Sequence, residues 1–382
     1  MPLTIARLLW TKKLNGQVNV GWGKIVEERA DLVATAGSNL YLFIPSPDVF
    51  QLSATIDLGK EILSLDVGLP APVLEHIVLG LDDRLEVYGK RDGAIAAITQ
   101  TTPDAGARYV DIAIADIDND GKEEVIAAAA GNEALFFYRQ SGQAPEEMHL
   151  ELFAIRVMPG VPQKVTVVRR GEGQLPLIAA AYRSGDSSGI LTLVFTETGF
   201  EEGPFLENLP ATVDSMTAGT LNNAPDELLF WGGGDGSVRA VAINQELVTL
   251  MTTENLGTSV PALAEGRLLG NERPTLVAGT PEGYLFGFDE PELSTSPAWA
   301  LATGHFINDL SISEEGLLAL GADDGWLQVW LLSNSSGMVH KVQPGENLFS
   351  IAALYNTTAA AIIDYNRLNS DLIYPGRYLA IP

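Results

Sequence analysis

Three aspartates alternate in the run DIAIADIDNDGKEEVIAAAAG: Asp116, Asp118 and Asp120. Gly121 follows, and Glu124 lies eight residues after the first aspartate. Carboxylates at positions 1, 3, 5 and 9 around a glycine at 6 can converge on one hard cation, with a backbone carbonyl near Lys122 completing an oxygen shell. An EF-hand would need a bidentate glutamate at the twelfth position and flanking helices; here that position is Ala127 and the flanks read as strands. The expectation is one Ca²⁺, structural rather than catalytic, tying a β-hairpin.

No other pattern of reactive side chains stands out. The four histidines, His76, His149, His305 and His340, are scattered and share no metal-ligand spacing. There is no GxSxG elbow and no P-loop, and GGGDGS at Gly232 to Ser237 reads as a turn between two strands, since no helix follows it. Trp22, Trp231, Trp299, Trp326 and Trp330 have the planar faces that stack on sugars, but such residues mostly fill cores. No residue earns a catalytic role and an enzyme is not expected. A paired-carboxylate glycosidase site at the mouth of the fold is the alternative.

The chain carries 49 acidic and 23 basic residues, a formal net charge of -26, so nucleic acid and anionic membrane surfaces are poor partners. It has no cysteine, which excludes disulfides, thiolate metal sites and cysteine nucleophiles together. No apolar stretch approaches the roughly 20 residues needed to span a bilayer. The N-terminal segment MPLTIARLLWTKKLNG lacks the layout of a signal peptide.

The elements that would position the aspartate loop recur along the chain. A short apolar strand, a turn rich in Gly, Asp or Asn, and an alternating strand repeat seven times. Aligning Val33, Ile77, Val125, Leu177, Leu228, Leu276 and Leu317 gives steps of 44, 48, 52, 51, 48 and 41 residues. Each copy is preceded by another strand-like segment, from VNVGWGKI to NDLSIS. Seven copies at this period predict a seven-bladed β-propeller over residues 1–335, with a pair of β-sandwiches as the alternative. Small-residue runs such as AAAAG and WGGGDG suit tightly packed inner strands, where bulky side chains would not fit. The seventh copy lacks an outer strand, and Thr4 to Leu14 is a spare one, so the N-terminus is expected to close the ring. Within this setting the aspartate loop resembles the FG-GAP or VCBS calcium loop of integrin-like propellers, which joins the first two strands of a blade. The fifth repeat, with Leu221 in GTLNNAPDE, does not keep it.

From about Val339 the pattern changes to βααβ. A short strand leads to a Pro344-Gly345 turn. Asn347 can cap a helix whose apolar face is Leu348, Ile351, Ala352 and Tyr355, and Thr358 can cap a second through Ile362, Ile363 and Tyr365. HKVQPGENLFSIAALYNTT and NRLNSDLIYPGRYLAIP match the opening and the ending of the LysM family, so residues 338–382 resemble a LysM domain throughout. That resemblance implies a shallow groove for N-acetylglucosamine units between two loops. Gly345, Glu346, Asn347 and Leu348 would form one side, and Leu372, Ile373, Tyr374 and Pro375 the other. Glu346-Asn347 departs from the Asp-Thr or Asp-Ser usual in the family. The resemblance further implies peptidoglycan or a chitin-like polymer as partner and a place in the cell wall or a spore envelope. The whole chain then reads as a non-catalytic bacterial adaptor whose propeller meets a protein partner. A glycan-processing enzyme and an intracellular or spore-layer assembly protein are the alternatives.

Overall fold

Each repeat folds as an antiparallel meander because its apolar residues alternate and its strands are separated by tight Gly and Asp turns. The computed structural model describes residues 5–46, 50–70, 74–142, 148–220, 226–271, 273–289, 294–333, 338–366, 368 and 370–382. Leu221 and the junction at 334–337 lie outside the described residues.

Strand β1 (Ile5–Lys13) precedes the first blade. Blade 1 is β2 (Val18–Gly23), β3 (Asp31–Ala36), β4 (Asn39–Pro45) and β5 (Phe50–Asp57). Blade 2 is β6 (Ser64–Gly68), β7 (His76–Gly80), β8 (Leu85–Arg91) and β9 (Ala94–Gln100). Blade 3 is β10 (Tyr109–Ala115), β11 (Glu124–Ala129), β12 (Ala134–Ser141) and β13 (His149–Val157). Blade 4 is β14 (Val161–Val168), β15 (Leu177–Ser184), β16 (Ser187–Thr196) and β17 (Gly199–Leu206). Blade 5 is β18 (Val213–Gly219), β19 (Leu228–Gly233), β20 (Val238–Ile243) and β21 (Leu247–Thr252). Blade 6 is β22 (Ala262–Gly266), β23 (Thr275–Gly279), β24 (Tyr284–Phe288) and β25 (Trp299–Ala302). Blade 7 has β26 (Ile307–Ile312), β27 (Leu317–Ala322) and β28 (Trp326–Ser333), and β1 supplies its outer strand, so its order is β1-β28-β27-β26. The expected closure is present: β1 runs antiparallel to β28 from Ile5↔Ser333 to Lys13↔Trp326.

The first strands of successive blades stand side by side around the centre, with β26 against β2. AAAAG and WGGGDG belong to β11 and β19, inner strands in second place in blades 3 and 5, and continue into the turns that follow. The reason is steric: a second strand lies between two neighbouring blades and is buried on both faces, as in β11, where every residue from Glu124 to Ala129 is buried.

The innermost strands carry charge instead. Lys164 on β14 lies 3.4 Å from Asp111 Oδ1 on β10. It also feels Asp214 of blade 5 and Asp309 of blade 7, across the ring, so its amine sits in the central channel. The carboxylates there are pinned by backbone donors of the next blade. Asp66 accepts from Ile114 N at 2.9 Å, Asp111 from Val165 N at 2.8 Å, and Asp309 from Val20 N at 2.8 Å. β-Bulges next to Asp111, Lys164 and Asp309 re-aim these side chains.

A second latch joins the blades farther from the channel. Glu75 accepts from Lys24 N, Glu123 from Leu69 N, and Glu227 from Arg169 N, each at 2.7 Å; Glu265 accepts from Thr220 N at 3.1 Å. Gly23, Gly68 and Gly219 precede three of these donors. A Cβ on Gly219 would lie 2.2 Å from the Glu265 carboxyl carbon, so glycine is what lets the next blade's acid approach.

The C-terminal unit follows with β29 (Met338–Lys341), α1 (Leu348–Leu354), α2 (Ala359–Asn366) and β30 (Tyr378–Ile381). β29 and β30 pair antiparallel, and the unit has its own core of Val342, Leu348, Ile351, Ala352, Ile362, Ile373, Leu379 and Ile381.

Candidate functional site: a two-loop groove beside the propeller

The first loop of the C-terminal unit is held by its own side chains. Asn347 caps α1 by accepting from Ser350 N at 3.0 Å, and Ser350 Oγ accepts from Asn347 N at 3.0 Å, a reciprocal capping box. The Glu346 carboxylate accepts from Gln343 N at 2.7 Å and lies 2.7 Å from His340 Nε2. The Gln343 amide first, and His340 second, hold that carboxyl below the usual range. On its other nitrogen His340 meets the Tyr355 hydroxyl at 3.0 Å, so β29, the loop and α1 are linked through one imidazole. Gly345, at φ +88°, makes the turn that lets the carboxylate fold back.

The second loop is tied to the base of the first. Val342 N donates to Arg377 O, and Gly376 N donates to Val342 O, both at 2.8 Å, so the Tyr374–Arg377 turn lies against the residue where the first loop begins. The eight residues expected to form the groove therefore play two parts. Leu348 and Ile373 are buried in the unit's core and anchor the loops from beneath. Gly345, Glu346, Asn347, Leu372, Tyr374 and Pro375 retain exposed surface, and Leu372 is 58% exposed. The sequence placed Tyr355 on the apolar face of the first helix and left His340 without a role; their contact with each other and with Glu346 forms only when the loop folds.

The aspartate loop joins β10 to β11, as expected. Carboxylate oxygens of Asp116, Asp118 and Asp120 lie within 4.8 Å of one another. The loop is preformed: Asp116 accepts from Asp120 N at 3.1 Å and from Gly121 N at 2.8 Å, while Asp120 accepts from Lys122 N at 2.8 Å. Glu124 stands apart from this trio. It accepts from Ile117 N at 3.1 Å, and its other oxygen lies 3.5 Å from Arg139, which also reaches Asp118 at 2.5 Å. Burial pushes the Glu124 carboxyl up to about 7.

A propeller closed by its own N-terminal strand and followed by a small βααβ unit with paired loops defines the class: a β-propeller protein carrying a C-terminal LysM domain. Residues 340–382 match the LysM domain family. Over 49 residues, 13% of the chain, the sequence is 47% identical to the N-acetylmuramoyl-L-alanine amidase sle1 of two Staphylococcus epidermidis strains. The matched segment spans 15% of the length of those relatives. Two crystal structures of BBS1N in complex with ARL6DN, one soaked with mercury and one with lead, share the propeller fold. Their TM-scores are 0.64 and 0.62, at 11% and 12% identity, covering 88% and 87% of this chain and 99% and 98% of theirs. Among the described residues, no helix is long and apolar enough to cross a membrane.

Proposed function

We propose that this protein is a non-catalytic adaptor that binds N-acetylglucosamine-containing glycan, peptidoglycan or a chitin-like polymer, through its LysM domain and presents the propeller as a scaffold for a protein partner. The observation that carries this reading is the LysM match at 340–382, together with two loops tied at their base and an exposed Leu372 on the second. The propeller's channel carboxylates support a scaffold rather than a glycosidase, since Asp66, Asp111 and Asp309 spend acceptor positions on neighbouring blades. A single module holds glycan weakly, so retention on a wall is strengthened where several copies act together. The test is sedimentation with purified peptidoglycan of the full chain, residues 1–335 and residues 338–382. The full chain and the tail are expected in the pellet and the propeller in the supernatant. A tail and full chain that both stay in solution defeat the reading.

The aspartate loop, with its likeness to FG-GAP and VCBS loops, is assigned one structural Ca²⁺ held by Asp116, Asp118, Asp120 and a backbone oxygen near Lys122. Glu124 serves as an anchor through Ile117 N and Arg139. A ligand that binds only the folded state stabilises it by about 2.7 kcal/mol at a hundred times its dissociation constant. Millimolar Ca²⁺ is therefore expected to raise the melting temperature by a few degrees over a chelator control, and Asp120→Asn to abolish the rise. Equal melting with and without Ca²⁺ counts against the site.

A further inference from the structure

We propose that the saccharide site extends past the LysM groove into the seam where the LysM domain meets blades 7 and 1, which takes the sugar units next to those between the two loops. This rests on the glycan-binding reading above. The LysM domain is held against the propeller at a definite place: Tyr365 packs on the core shared by blades 7 and 1, and Arg377 lies 3.7 Å from Glu315. Burial raises the Glu315 carboxyl, and Arg377 and Arg29 oppose that. Between the two bodies a cleft of about 410 Å³ stays open, within the range that holds a small ligand. Its LysM side includes Leu372 and Tyr374, two residues of the second loop, so a saccharide reaching past that loop would enter the cleft.

The chemistry of the walls fits sugar. Trp10, Trp22 and Phe50 line an adjoining hollow that shares Arg29, Glu315 and Tyr374 with the cleft. The Phe50 ring centroid is 5.7 Å from each of the two indoles. That hollow is only about 40 Å³, room for an acetamide methyl and not for a pyranose ring, so the ring itself would lie in the polar cleft. Arg29 sits where the two hollows meet. Its Nε is buried and finds no hydrogen-bond acceptor, the Glu27 carboxylate lying 3.4 Å away in poor alignment. The rest of the guanidinium, at the junction of the two hollows, is the group that a sugar hydroxyl or acetamide oxygen would meet.

The experiment is calorimetric titration of the full chain with N-acetylglucosamine oligomers from dimer to hexamer, repeated with Arg29→Met and with Lys24→Met, the latter a half-exposed cleft residue. In the unaltered chain, affinity is expected to climb with oligomer length. Each variant is expected to weaken the hexamer by on the order of tenfold while leaving the dimer unchanged. Variants that bind every oligomer like the unaltered chain overturn the proposal, and so do variants that bind more tightly, because the seam would then cover the groove. If the unaltered chain binds no oligomer, the LysM reading itself fails and this inference fails with it.

Discussion

A chain lacking residues 1–13 is expected to lose its soluble, cooperative fold. Without β1, blade 7 ends at β28, whose outer edge would present unpaired backbone groups to solvent and to other molecules. The packing loss is as serious. Ile5, Leu9 and Trp10 rest on the core between blades 7 and 1, and the Trp10 ring lies 5.0 Å from Phe43 and 5.7 Å from Phe50. Removing that much apolar contact costs on the order of 5 kcal/mol, a large share of what holds a domain folded. Gel filtration and a thermal melt check this: aggregation or a collapse of the melting temperature is expected. A truncated chain that runs as a monomer and melts within about 2 °C of the intact protein would show that β1 is dispensable.

Replacing Lys164 by Met is expected to cost about 2 kcal/mol at pH 8 and less as the pH falls and the carboxylates around it take up protons. The figure is below that for breaking a fully dry ion pair, because water reaches both partners in the channel. Burial raises the Asp111 carboxyl, and Lys164 is the main group that opposes the rise. The same burial pushes Asp66 up to about 7 and Asp309 up to about 6. These are folded-state values above the unfolded ones, so the stability they contribute is full below the unfolded carboxyl range, about 4, and is lost as pH rises through 6 to 7. Asp31, at about 6, and Glu265, at about 7, act in the same direction. Lys164 itself is raised, chiefly by Asp111, and titrates well above this window. The intact chain should therefore melt higher at pH 5 than at pH 8, by on the order of 5 °C. The variant's deficit should narrow over the same interval as the aspartates take up protons. A deficit of equal size at both pH values would mean that Lys164 matters for packing and not for charge.

The ring was legible in the sequence because second strands buried on both faces leave continuous apolar runs such as LLFWGG and HIVLG, with Gly-rich turns at a steady spacing. The same double burial accounts for the small residues of AAAAG and WGGGDG on crowded inner strands. The latches were not legible. Nothing in the strings GWGK, DVGL and TAGT says that a glycine there opens a path to an acid from the next blade, some 45 to 54 residues away. In the LysM domain the helix caps, both loops and their turn could be read directly, because each is set by neighbours within a few residues. Trp10, Arg29 and Glu315, which form the seam, come from distant parts of the chain, so only the folded molecule brings them beside Tyr374.

The pairing of β1 with β28 also fixes how the molecule bears load. The LysM domain leaves the propeller just past Ser333, and Ser333 pairs with Ile5, so a pull on the tail enters the ring at the end of a strand clasped on both sides. A pull along β28 would meet the β1 ladder first, since it alone reaches Ser333, and then the β27 ladder from Leu331.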